Sequence, residues 1–154
     1  PFAIYQWQYH GIRTDVEFRP VTSHRSLTNE FISLMPEAIG IDIEEDAVTG
    51  NMHTILERLH YELWSDSRAE HLDRTHRVAE FRCTSLETSH KARVAILEAQ
   101  LARAENDRIR IMKLAQKANA QADYERRRKE IEEATSRADI TTHPVGWGIM
   151  RVRP

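Results

Sequence analysis

Between Gly50 and Pro144 the chain runs for 93 residues, 51–143, without a glycine or a proline. Those two residues are the usual breaks in regular structure. The run is mostly Ala, Leu, Glu, Arg and Lys, all helix formers, so the sequence predicts helix over most of it. A single helix of that length would measure ~140 Å at 1.5 Å per residue, more than a compact domain of a 154-residue chain can support. The run is therefore expected to fold back on itself. Its weakest point is Glu105-Asn106-Asp107: Asn106 tolerates the left-handed conformation that ends a helix, and Asp107 can cap the next one. One helix near 52–104 and a second near 107–138 follow.

The apolar spacing supports pairing of the two. Ala79, Cys83, Leu86, His90, Val94, Leu97, Leu101 and Ala104 follow steps of 4, 3, 4, 4, 3, 4 and 3. That is a heptad seam with one extra step of four, which locally unwinds a supercoil. The second helix offers Ile111, Leu114 or Ala115, Ala118, Ala122, Tyr124 and Ile131. A turn at Asn106 sets Leu101 opposite Ile111, Leu97 opposite Ala115 and Val94 opposite Ala118, large against small. The result is a helical hairpin that projects ~50 Å, about 33 residues at 1.5 Å each. Residues 52–71 have no partner in the second helix, and their Ile55, Leu56, Leu59, Leu63 and Trp64 need another surface.

The chain ends supply one. In FAIYQWQY, residues 2–9, Tyr5, Trp7 and Tyr9 share one face of a strand and Phe2 and Ile4 the other. Gly11 marks a turn. Val16, Phe18 and Val21, set against Glu17 and Arg19, read as a second, half-exposed strand. Ser26 can cap a short helix with Leu27, Phe31, Leu34 and Met35 on its apolar face, stopped by Pro36 and Gly40. The acidic IDIEEDAVTGN reads as a loop. At the other end THPVGWGIMRV, 142–152, carries Val145, Trp147 and Ile149 on alternate positions, as a returning strand would. The expected fold class is α+β: a small antiparallel sheet made of the N-terminal hairpin and a C-terminal strand, with a long antiparallel α-helical hairpin. The expected organisation is a single accessory domain over 1–154: 1–50 as β-hairpin, short helix and acidic loop, 51–138 as helical hairpin turning near 105–107, and 139–154 as the returning strand.

Charged residues make up 30 % of the chain, yet the net charge is −2. Attraction to nucleic acid must therefore come from local patches. The single cysteine, Cys83, excludes an internal disulfide or a cysteine zinc cluster and suits a reducing compartment such as the cytoplasm. No apolar run approaches the ~18 residues of a membrane span, so no membrane partner is expected. Pro1 leads straight into strand-like sequence, which reads as a piece of something longer.

Candidate chemistry is sparse. His53, Glu57 and His60 fall at i, i+4 and i+7 and share a helix face, but they lack HExxH spacing and a fourth ligand. Ser85, Ser89 and His90 have no glycine elbow beside them. Asp42, Glu44, Glu45 and Asp46 lack calcium-loop spacing. No GxxxxGK[ST] or GxGxxG occurs. No catalytic, cofactor-binding or metal residue is assigned in this chain. Two basic groups remain. Arg110, Lys113 and Lys117 share one face, with Arg108 beside them at the hairpin tip, and they are the candidates for contact with nucleic acid or a partner. Arg126, Arg127, Arg128 and Lys129 interleave with Glu125, Glu130, Glu132 and Glu133, which would pair with them within the helix.

These residues also carry a likeness. Ser89–Ala92 (SHKA), Leu97–Ala102, Asp107–Met112 (DRIRIM), Tyr124–Ile131 and Ala138–Ile149 resemble the C-terminal region of bacterial Snf-type helicase-like ATPases, including translocases of the RNA-polymerase-recycling and phage-defence kinds. The opening FAIYQWQYHGIRTDVEFRPV looks like the segment just upstream in such proteins. The resemblance implies a parent protein, an ATP hydrolase using ATP and magnesium, that moves on DNA or remodels nucleic acid. This chain would be its non-catalytic accessory domain, whose hairpin contacts the parent ATPase motor, a protein partner, or a DNA or RNA backbone. The alternative expectation is a structural coiled coil that mediates self-association, and a small metal hydrolase comes third.

Overall fold

A computed structural model describes residues 1–40 and 50–151. The acidic stretch Asp42, Glu44, Glu45 and Asp46 lies outside the described residues. The fold is α+β, a three-stranded antiparallel sheet with a long helix and a second helix that returns as a hairpin. The chain divides into two compact units, Pro1–Leu72 with Asp139–Pro154, and Asp73–Ala138.

In the first unit, β1 (Phe2–His10) is the central strand. It is flanked by β2 (Asp15–Thr22) and β3 (Asp139–Gly148) in the order β2-β1-β3. Gly11, at φ 135°, supplies the left-handed turn residue that leads into β2. The alternation read from β1 holds: Ala3, Tyr5 and Trp7 are buried on one face, where the helix α2 (Gly50–Ala102) lies through its first residues. Leu56 is fully buried there, with Leu59, Leu63 and Trp64 partly buried against the same core. Residues 52–71 thus find the surface they needed. Trp64 Nε1 donates to the carbonyl of Ile140 at 2.8 Å, and His71 Nε2 donates to that of His10 at 2.7 Å. Arg68 meets Asp139 at 2.6 Å and holds its carboxyl below the ordinary range.

Three local expectations are corrected. Ser26 caps nothing: the short helix α1 (Thr28–Leu34) starts from a 3-10 turn, Arg25–Leu27, with no side-chain cap, and is anchored instead by buried Phe31 against Phe2 at 4.6 Å. Val16 and Phe18 pair with Gln8 and Gln6 on the face away from α2 and stay exposed, whereas Val21 opposite Ala3 is in the core. Val145 and Trp147 do not share a face. The register of β3 on β1 slips between Ile4 and Tyr5, so Tyr5 pairs with Pro144 and Ala3 with Trp147. The extra residue of this bulge leaves Val145 exposed and turns Pro144 and Trp147 to the helix side.

The second unit holds α2 from Asp73 onward and α3 (Asp107–Ser136). Thr75, Ala79 and Leu97 are buried and Cys83, Leu86, His90, Val94, Leu101 and Ala104 half-buried, so the seam read in the first helix is the one used, stutter included. The turn is simpler than expected. Asn106 is itself the N-cap, with extended backbone, and its side chain accepts from the Arg108 amide at 2.8 Å. It is not left-handed, and Asp107 sits in the first helical turn rather than capping it.

The returning face of α3 differs from expectation. Ile111, Leu114, Ala115, Ala118 and Ala122 are exposed, and the half-buried positions are Lys113, Gln116, Lys117, Asp123, Tyr124, Ile131, Ala134 and Thr135, with Ala120 buried. Tyr124 stacks on His90 at 4.4 Å between centroids, and Gln121 hydrogen-bonds His90 at 2.9 Å. The inward stripe is thus two residues further along the helix than Ile111, Ala115, Ala118 and Ala122. A two-residue step rotates a helix by about 200°, so Ile111, Ala115 and Ala122 face outward, while Ala118 still shares a groove with its expected partner Val94.

Candidate functional site

The four basic candidates separate into two pairs. Lys117 reaches Glu98 at 2.6 Å and Lys113 meets Gln116 at 3.2 Å; both are half-buried toward α2. Arg108 and Arg110 are exposed, and neither has an ion-pair partner among the described residues. The Arg108/Arg110 pair is flanked by Ile109, Ile111 and Met112, all exposed. The downstream cations behave as the interleaved glutamates implied. Arg126 pairs with Asp123 and Glu130, Arg127 with Asp123, Arg128 with Glu132 and Lys129 with Glu133. Their charge is spent within one helix, and that of Arg108 and Arg110 is not. Beside them, exposed Leu114 and Ala118 join His90, Val94, Lys117 and Gln121 around a shallow groove of about 360 Å³.

The remaining candidates are engaged structurally. His60 stacks on Tyr5 at 3.5 Å, nearly parallel, and its Nε2 accepts from Trp7 Nε1 at 3.0 Å. Burial lowers its pKa and holds it neutral. His53 pairs with Glu57 at 3.1 Å and lies against Trp147 at 4.0 Å. These three residues do not converge on a shared point, and among the described residues no group of three His, Cys, Asp or Glu is placed to hold a metal ion. His90 is turned to Gln121 and Tyr124 rather than to Ser85 or Ser89, both exposed. Among the described residues no helix is long and apolar enough to cross a membrane.

One feature of the first unit has no counterpart among the sequence candidates. Tyr5, Glu57, His60, Tyr61, Trp64, Thr142, Pro144 and Trp147 line an open cleft of about 420 Å³ between α2 and β3. Its walls are mostly aromatic, and Glu57 is its one formally charged side chain. The Tyr5 hydroxyl beneath it is buried without a hydrogen-bond partner among the described residues, and burial with the nearby Glu57 charge pushes its pKa up to about 12. The spacing of Glu57, Tyr61 and Trp64 at i, i+4 and i+7 was the available signal. It was obscured because Glu57 also falls in step with His53 and His60.

No family model, no curated protein and no solved structure matches the chain.

Proposed function

We propose that this chain is a non-catalytic interaction domain of a cytoplasmic, ATP-dependent helicase-like translocase, and that its helical hairpin makes the contact through Arg108 and Arg110. The ATP- and magnesium-dependent chemistry would belong to the parent motor. The observation that carries this reading is the contrast in charge pairing. Every cation of the 126–129 run is neutralised within its own helix, while Arg108 and Arg110 stand exposed and unpaired among the described residues beside exposed Ile109, Ile111 and Met112. Exposed cations without partners are available to phosphate oxygens or to an acidic protein surface. Lys113 and Lys117 play a lesser part, because Lys117 is already held by Glu98.

The test is a titration of duplex DNA into the protein at two salt concentrations, repeated with Arg108→Glu/Arg110→Glu. Backbone contact predicts affinity that falls with log salt and a variant whose slope is smaller by about two. Equal binding by the variant and the parent chain would remove the two arginines from the contact.

Self-association is the second reading, favoured by the outward stripe of Ile111, Ala115 and Ala122. Sedimentation at rising concentration tests it: a dimer dissociated by Ile111→Lys supports it, and a monomer throughout excludes it.

A further inference from the structure

The aromatic cleft of the first unit has an identifiable chemistry, independent of the hairpin. The sheet-and-helix unit contains all three tryptophans of the chain. Two of them carry a resident cation. Arg19 lies over Trp7 at 5.3 Å, tethered by Glu17, and Arg68 lies over Trp64 at 5.5 Å, tethered by Asp139. Trp147 has no arginine or lysine over its ring among the described residues; its ring neighbour on the helix is His53, at 4.0 Å and paired with Glu57. It nonetheless sits in the same kind of environment, with aromatic neighbours and a carboxylate in the same cleft.

Aromatic faces carry negative potential and attract cations, the more so where water is thinned by surrounding rings. Tyr61 and Trp64 stand 5.6 Å apart on the helix side, Trp147 forms the opposite wall, and Tyr5 meets Trp147 edge to face at 5.7 Å. Glu57 adds a full negative charge. Among the described residues no lysine or arginine lines the cleft, and His60, whose pKa burial lowers, is neutral and offers its Nε2 lone pair to the Trp7 N–H. Arg68, the cation over Trp64, is already tied to Asp139, so an anion here would meet Glu57 with no free lysine or arginine lining the cleft to offset it.

We propose that this cleft binds an alkyl-linked nitrogen cation, an ammonium or guanidinium, between Tyr61, Trp64 and Trp147 with Glu57 as its counter-ion. A lysine or arginine side chain of a protein segment and a free small amine present the same head group. His53, which does not line the cleft, meets Glu57 from one side at 3.1 Å and fixes the carboxylate beside Trp147.

The experiment follows the three indole N–H resonances of the 154-residue chain by NMR while n-butylammonium is added, with n-butanol as the neutral control. Binding in the cleft shifts the Trp147 and Trp64 signals saturably and leaves Trp7 nearly unmoved, and n-butanol binds at least roughly tenfold more weakly. Glu57→Gln, at an exposed position, weakens the ammonium by roughly tenfold, and Tyr61→Leu weakens it severalfold; unchanged amide spectra elsewhere show that both variants are folded. A short lysine-containing peptide and its norleucine analogue separate the sources: tighter binding of the lysine peptide than of n-butylammonium assigns a protein segment, and equal binding assigns a free amine. Equal affinity for n-butanol and n-butylammonium overturns the proposal. So does an unaffected Glu57→Gln, or a single-stranded oligonucleotide that shifts the same indoles more strongly once Glu57 is removed.

Discussion

At the residue scale the tightest arrangement is His60 between Tyr5 and Trp7. Its ring is a stacking surface for one and a hydrogen-bond acceptor for the other, and the acceptor role requires the neutral imidazole. Burial lowers its pKa in the folded chain, while in the unfolded chain the value returns to about 6.5. Between those two values the unfolded state binds more protons. Stability is therefore full above about pH 6.5 and falls as the pH drops toward the depressed folded value. Urea unfolding followed by tryptophan fluorescence at pH 7.5 and 5.0 is expected to show a lower midpoint at pH 5.0. His60→Gln, which keeps an acceptor for Trp7, should shrink that difference; an undiminished difference would place the pH sensitivity elsewhere. Little of this was legible in the sequence. The spacing of His53, Glu57 and His60 is visible, but what each ring touches depends on Tyr5, Trp7 and Trp147, which arrive from strands far away in the chain.

At the scale of elements, the glycine- and proline-free run gave the two helices to within a few residues, because propensity and length leave no other use for it. The first seam was legible for a similar reason: eight positions in regular steps leave one face. The second was not, and the cause is specific. Ile111, Ala115, Ala118 and Ala122 lie on one stripe, while Tyr124 and Ile131 lie on another, since two residues turn a helix most of the way to its far side. The folded chain keeps the stripe bearing the larger pair, where Tyr124 gains a stacking partner in His90, and accepts Lys113 and Lys117 at its margin, where long stems cover apolar surface while the ammonium of Lys117 reaches Glu98. The turn depends on Asn106, whose side chain satisfies the Arg108 amide that α3 leaves open. Asn106→Ala is expected to cost about 1 kcal/mol, read as a lower midpoint in chemical unfolding followed by helical circular dichroism, and Asn106→Asp should restore most of it.

At the scale of the whole molecule, two different surfaces are on offer: an aromatic, acidic cleft in the sheet-bearing unit and a basic, apolar helix start in the hairpin. They suit ligands of opposite charge, so both can be occupied without competing for one partner. The strand order β2-β1-β3 has a further consequence. A three-stranded sheet has two borders, and each leaves a row of amides and carbonyls that a strand from another molecule could zip onto. Here β2 contains Pro20 opposite Ile4, and β3 contains Pro144 opposite Tyr5 beside the bulge at Val145. A proline presents no N–H, and a bulge throws the border out of register. Both borders are thereby blunted near the middle, and chain-to-chain contact is steered away from cross-β stacking. Pro20→Val/Pro144→Val should leave the fold in place yet raise thioflavin-positive aggregation at elevated temperature, with no change expected if the borders are guarded by something other than these two rings.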